Sequence, residues 1–176
     1  AGADIVGMED LAEQIKAAKF TCVRRSSPPP FFVHHAIPPV VLGDTMGELR
    51  KFYALAELVF VGRTLVDLGP RQHGSDMIEP AALAKPIIVG PYTHNFAEAM
   101  AKFRAAEAIH VVANAKALAE AMTALLQHPA EAKAMGERAL KVVKQEQGAT
   151  DRHVAAILQL LKGRKEHSTQ RHKGTE

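Results

Sequence analysis

A chain of 176 residues with 47% apolar and 23% charged residues has the composition of a globular protein and is long enough to bury its own core. The net charge of +3 is small and much of the basic character lies between Lys162 and Lys173, so no nucleic-acid-binding surface is predicted. No apolar run approaches the roughly 20 residues of a membrane helix. The chain does not begin with Met, and we expect it to be part of a longer protein.

The first third of the chain predicts a helix, two short strands and a loop. Apolar residues at helical spacing predict a helix over 8–18, and an apolar run predicts a strand over 20–23. Residues 26–39 hold five of the ten prolines and are predicted to form a loop, since proline lacks the N–H that a sheet requires. A second strand follows at 40–42.

The middle of the chain alternates between helices and buried strands. Thr45 and Glu48 have the spacing of a capping box, which predicts that a helix begins there. A strand that is apolar throughout follows at 58–61, then a long loop over 62–77 and a short helix over 78–84. Further strands are predicted at 86–89 and 109–112, on either side of a helix over 95–106.

The last third is predicted to be helical. Asn114 caps one helix, and Pro129 begins another that ends at Gly148. A final helix has an apolar face formed by Val154, Ile157, Leu158 and Leu161. The polar residues 163–176 are predicted to be a disordered tail, which leaves residues 1–162 as one domain.

This alternation of strands and helices predicts an α/β fold, a Rossmann-like parallel sheet with helices on both faces. Ligands of such sheets bind at the carboxyl ends of the strands. The loops that follow Leu42, Val61 and Val89 meet at that edge, and we expect them to form a site.

Each of these loops has a functional and a purely structural interpretation. Segment 43–48 is either a phosphate-binding helix start, open to a ligand at Gly47, or an ordinary capped helix. Glu79 either accepts hydrogen bonds from sugar hydroxyls or favours the helix dipole, and Asp76 either caps the same helix or contacts the ligand. Asn95, which follows the strand that ends at Gly90, either caps the next helix or faces the cleft.

Other kinds of site are not predicted. The single cysteine, Cys22, cannot form an internal disulfide and lies in an apolar run, which favours a core position. The nine histidines are scattered without a metal-binding motif, so no metal is assigned. Arg24 and Arg25, which follow the first strand, are interpreted as solvated or rim charges.

Three motifs, GDTMGEL, IEPAA and GPYTHNF, carry a family resemblance. The run VVLGDTMGELRKFYALAELVFVG, followed by IEPAALAKPIIVGPYTHNF, resembles the bacterial 3-deoxy-D-manno-octulosonic acid (Kdo) transferases of lipopolysaccharide synthesis. The similarity continues through MGERALKVV and QEQGAT and covers nearly the whole chain except the tail.

The resemblance implies a glycosyltransferase of the GT-B type, of which this chain is the C-terminal domain that binds CMP-Kdo. It implies a lipid A precursor as acceptor, at the cytoplasmic face of the bacterial inner membrane, and no metal cofactor. The general base is expected in an N-terminal domain that this chain does not contain, so no catalytic residue is assigned and the fragment alone is expected to be inactive. The residues that the resemblance places on CMP are Met46, Gly47, Glu48, Asp76, Met77, Ile78 and Glu79, with Thr45, Gly90 and Asn95 as a second tier.

The chain also departs from the family pattern. Gly62, Arg63 and Thr64 stand where the family has Gly-Gly-Ser, Asp76 replaces an asparagine, and Tyr92 replaces a histidine. The added charge at Asp76 is expected to weaken binding of an anionic donor unless the side chain turns away. Two alternatives therefore stay open: a UDP-sugar donor, or a non-catalytic interaction module that uses the proline-rich segment.

Overall fold

The computed structural model describes residues 7–27, 38–69 and 74–171. The chain, predicted as one domain, divides into two compact units, Ala1–Leu55 (the first unit) and Ala56–Glu176 (the second unit). The predicted proline-rich loop over 26–39 lies mostly outside the described residues, because 28–37 are not among them.

The first unit contains helix α1 (Met8–Ala17), strands β1 (Cys22–Arg24) and β2 (Val40–Leu42) and helix α2 (Leu49–Leu55). The two strands pair in parallel, with Cys22 opposite Val40 and Arg24 opposite Leu42. All four elements were predicted, with bounds that differ by a few residues. Cys22 is a free thiol and half-buried, which is less than its predicted core position.

The second unit contains a three-stranded parallel sheet in the order β3 (Val59–Phe60), β4 (Ile87–Val89) and β5 (His110–Val111). Every residue of β4 is fully buried, as the apolar run predicts for a central strand. Helix α3 (Ile78–Ala82) precedes β4, and a 3-10 turn (His94–Phe96) leads into helix α4 (Ala97–Ala105). Helices α5 (Ala115–Gln127) and α6 (Pro129–Arg171) complete the unit.

The core of the second unit joins this sheet to the last two helices. One buried cluster of this core comprises Ile88, Val112, Ala121, Leu125, Ala132 and Met135. Asn114 caps α5 as predicted, since its Oδ1 accepts a hydrogen bond from the N–H of Ala117 at 3.0 Å. Pro129 is the first residue of α6, the position where its missing N–H costs nothing.

Helix α6 does not stop at Gly148, as the sequence predicts, but runs unbroken to Arg171. A single glycine costs a helix only about 1 kcal/mol relative to alanine, and no proline follows to end it. Residues 163–171, predicted to be disordered, are therefore described as helix, while 172–176 lie outside the described residues. Val154, Ile157 and Leu158, predicted as an inner apolar face, are about half exposed.

Candidate functional site

The first part of the predicted site is segment 43–48, which joins β2 to α2 in the first unit. The Asp44 side chain is only 3% exposed and accepts hydrogen bonds from Arg24 Nε at 2.7 Å and from the Ser26 N–H at 2.8 Å. The Ser26 hydroxyl also donates to this carboxylate at 2.5 Å, and with Arg24 it lowers the pKa of Asp44. These contacts fix the start of the segment against the end of β1.

Thr45 and Glu48 contact each other, but they do not form the predicted capping box. Thr45 Oγ1 donates to Glu48 Oε2 at 2.6 Å, side chain to side chain, and α2 begins only at Leu49. The Glu48 carbonyl closes the first turn of α2, since it accepts a hydrogen bond from the Lys51 N–H at 2.8 Å. The capping-box prediction is wrong because Gly47 has a φ of +76°, a left-handed conformation that interrupts a right-handed helix.

The left-handed Gly47 leaves the main chain of this segment open. Met46 is 79% exposed, and no atom lies within 4 Å of the position that a Cβ on Gly47 would take. Among the residues that the structure describes, the N–H groups of Met46, Gly47 and Glu48 have no hydrogen-bond partner. Such a run of unpaired donors is suited to an anionic oxygen.

The Glu48 carboxylate accepts hydrogen bonds from three side chains. It accepts from the Thr45 hydroxyl at 2.6 Å, from Arg25 Nη2 at 3.1 Å and from Lys51 Nζ at 3.2 Å. The Thr45 hydrogen bond, followed by those of Lys51 and Arg25, lowers the pKa of Glu48 from its ordinary 4.5 to about 2. Glu48 is therefore ionised at neutral pH and holds two cations beside the segment.

The lowered pKa of Glu48 makes part of the stability of the first unit depend on pH. A carboxylate whose pKa is lower in the folded state stabilises the fold above its unfolded pKa, and this contribution is lost as the pH falls toward about 2. We expect the melting temperature of the wild type to fall more steeply than that of Glu48→Gln between about pH 5 and pH 2. Thermal unfolding followed by circular dichroism measures both slopes, and parallel slopes would contradict the prediction. Asp44 titrates in both proteins and so does not affect the comparison.

The second part of the predicted site is segment 76–79, at the start of α3 in the second unit. Asp76 Oδ1 accepts a hydrogen bond from the Ile78 N–H at 2.7 Å, so Asp76 opens this helix. Met77 is fully buried and anchors the segment. Glu79 is exposed, and its carboxylate has no hydrogen bond or ion pair within the described part of the chain.

Hydrogen bonds between the loop that precedes segment 76–79 and the loop after β4 hold this segment in place. Thr64 is fully buried; its Oγ1 donates to the Val61 carbonyl at 2.6 Å and accepts from the Gly90 N–H at 2.8 Å. The Asn95 carboxamide brackets Gly74, accepting from its N–H at 3.2 Å and donating to its carbonyl at 3.3 Å. Asn95 therefore does not cap α4 as one interpretation predicted.

Sequence reasoning did not assign a role to Thr64. The signal was present, because Thr64 ends the Gly62-Arg63-Thr64 segment that departs from the family pattern. In this structure the Thr64 hydroxyl links the ends of β3 and β4.

A cavity of about 480 Å3 lies in the second unit beside segment 76–79. Its walls come from α3, the 3-10 turn, α4 and α6, and include Ile78, Asn95, Phe96, Phe103 and Val142. Lys102 at its rim contacts Glu98 at 2.7 Å and Glu146 at 2.6 Å. Since two carboxylates neutralise this lysine, the cavity offers little attraction to an anionic group.

Two further properties bear on the site. Within residues 7–27, 38–69 and 74–171, no three His, Cys, Asp or Glu side chains are grouped so as to hold a metal ion. Over the same residues, no helix is both long and apolar enough to cross a membrane.

The chain is similar to several 3-deoxy-D-manno-octulosonic acid transferases. It is 35% identical over 153 residues to a 3-deoxy-D-manno-octulosonic acid transferase of Bordetella pertussis, which covers 85% of this chain and 33% of that protein. A protein of the same name from Haemophilus influenzae is 33% identical over 157 residues, with 86% and 33% covered. The chain thus spans about a third of the length of these relatives. No protein-family model matches it.

A solved structure matches the fold. The crystal structure of the C-terminal CMP-Kdo binding domain of WaaA from Acinetobacter baumannii aligns with a TM-score of 0.68 and 28% identity. The alignment covers 78% of this chain and 68% of that one. The α/β fold with parallel strands flanked by helices, predicted from the sequence, is confirmed.

Proposed function

The chain belongs to the family of 3-deoxy-D-manno-octulosonic acid (Kdo) transferases, and from this we propose that it is the donor-binding domain of an enzyme that transfers Kdo from CMP-Kdo to a lipid A precursor. Its fold is that of the C-terminal domain of a GT-B glycosyltransferase. The observation that carries the proposal is the similarity to a CMP-Kdo binding domain, in both sequence and fold.

In the first unit we assign the CMP phosphate to Met46, Gly47 and Glu48. Support comes from the three unpaired N–H groups of these residues and from the open space at Gly47. Thr45 donates a hydrogen bond to the Glu48 carboxylate, so we assign Thr45 a supporting role. The short helix α2 adds little, since it begins after this segment and has only seven residues.

In the second unit we assign the ribose to segment 76–79, with Glu79 as the acceptor for the sugar hydroxyls. An exposed carboxylate without a protein partner keeps its lone pairs for a ligand. Asp76 is less of an obstacle than its charge suggests, because one of its oxygens is bonded to the Ile78 N–H. Gly90 and Asn95 support the segment through Thr64 and Gly74.

The chemistry assigned to this domain is the stabilisation of CMP as it departs. Negative charge develops on the phosphate as the bond to Kdo breaks, and donors held in place at the phosphate stabilise that charge. The general base that activates the acceptor hydroxyl belongs to the remainder of the enzyme, so no residue of this chain is assigned to catalysis. The proposal extends to a full-length enzyme that acts without a metal cofactor on a lipid A precursor at the cytoplasmic face of the inner membrane.

Titration of the 15N-labelled chain with CMP tests the proposal. We expect saturable amide shifts at Met46, Gly47 and Glu48 and over 76–79, and weaker binding of UMP than of CMP. Equal or tighter binding of UMP would favour the UDP-sugar alternative. Absence of any nucleotide binding would overturn the proposal and leave the interaction module.

The role of Glu79 is tested by the variant Glu79→Gln. Glutamine keeps one acceptor oxygen but loses the charge that strengthens this hydrogen bond, so we expect the Kd for CMP to rise severalfold. The matched control is Glu131→Gln, which changes an exposed glutamate in the first turn of another helix of the same unit. If Glu79 accepts from the 2′-hydroxyl, the loss is smaller for 2′-deoxy-CMP; an equal loss for both nucleotides would contradict the ribose assignment.

A further inference from the structure

Two cations of the first unit share one carboxylate oxygen beside segment 43–48. Arg25 Nη2 and Lys51 Nζ lie 3.1 Å and 3.2 Å from Glu48 Oε1. The side chain of Glu48 is 17% exposed, whereas those of Arg25 and Lys51 are 47% and 75% exposed. The cations are therefore more accessible to a ligand than the carboxylate that holds them.

This arrangement leaves donors unused. A guanidinium carries five N–H groups. Among the described residues, the guanidinium of Arg25 contacts only Glu48. The Glu48 carboxylate itself already accepts from three donors and repels an anion. Around Glu48 itself, two cations therefore face one carboxylate.

The neighbouring arginine is not equivalent. Arg24 Nε contacts the almost fully buried Asp44 at 2.7 Å, and its Nη1 contacts Glu9. Two carboxylates thus occupy Arg24 on different nitrogens. Its role is to hold the start of the segment, whereas Arg25 has N–H groups to spare.

We propose that Arg25 and Lys51 bind the phosphate group of the nucleotide donor, and that Glu48 positions both cations for it. Arginine is suited to this role because its planar fork matches phosphate oxygens in pairs. The inference rests on the proposed function. It adds two charged contacts to the phosphate beside those of the neutral main-chain N–H groups of the segment.

The test compares CMP with cytidine, which lacks only the phosphate. We expect Arg25→Gln to raise the Kd for CMP about tenfold and Lys51→Gln to raise it severalfold, with the Kd for cytidine unchanged within about twofold. The matched control is Lys16→Gln. Lys16 is an exposed lysine of the same unit that also pairs with a glutamate three residues earlier, Glu13, and its loss is expected to change neither Kd.

The outcomes separate this inference from the proposed function. Wild-type binding of CMP together with unchanged affinity in both variants overturns the inference and leaves the function standing. An equal loss for CMP and cytidine also overturns it, because the cations then act on the loop and not on the phosphate. No CMP binding by the wild type overturns both. Amide spectra of each variant without ligand establish that the first unit is folded.

Discussion

The variant Gly90→Ala is expected to lower the free energy of unfolding by about 3 kcal/mol or more, since overpacking at a rigid contact is costly. A Cβ on Gly90 would lie 2.0 Å from the Thr64 carbonyl oxygen and 2.4 Å from the Leu65 Cα. Both are main-chain atoms, so no side-chain rotation relieves the overlap. The Gly90 N–H also donates to Thr64 Oγ1, and this hydrogen bond is expected to be lost as the two segments move apart.

Urea unfolding followed by circular dichroism measures this loss. The control is Gly62→Ala in the same unit, where no atom lies within 4 Å of the new Cβ, and we expect its stability to stay within about 0.5 kcal/mol of the wild type. If Gly90→Ala does not accumulate as folded protein while Gly62→Ala does, the prediction is supported as well. A Gly90→Ala protein as stable as Gly62→Ala would contradict it.

Features that depend on a few neighbouring residues were predictable from the sequence. The Asn114 cap needs only an acceptor three residues before the Ala117 N–H, and that pattern is visible in the chain. The fully buried β4 follows from its continuous apolar run. The family motifs added what spacing alone could not supply, the proposal of CMP-Kdo as the nucleotide sugar.

Features that depend on backbone conformation or on distant contacts were not predictable. The spacing of Thr45 and Glu48 matches a capping box, but the left-handed Gly47 between them delays the helix to Leu49. Thr64 bonds Gly90, which lies 26 residues away in sequence, so local reasoning gives no reason to single it out. The partners of Glu48 likewise include Arg25, 23 residues earlier, which the sequence suggested only as a rim charge.

A second large effect is expected at Gly136, where α6 lies against the turn between α3 and β4. A Cβ on Gly136 would lie 2.0 Å from the carbonyl oxygen of Ala84 and 2.7 Å from the carbonyl carbon of Ala84. Ala84 already has a left-handed φ of +53°, so this turn has little freedom to move away. We expect Gly136→Ala to lower the free energy of unfolding by about 3 kcal/mol, measured by urea unfolding.

The same helix supplies the control variant, which is expected to change the free energy of unfolding in the opposite direction. Gly148 lies inside the unbroken α6, so Gly148→Ala is expected to raise the free energy of unfolding by about 0.5–1 kcal/mol through helix propensity. Equal effects of the two variants would contradict the close contact at Ala84. The displaced turn directly follows α3, which carries Glu79, and we therefore expect any folded Gly136→Ala protein to bind CMP more weakly than Gly148→Ala. The helix that closes the second unit would then contribute to donor binding without touching the donor, by fixing the turn that holds α3 in place.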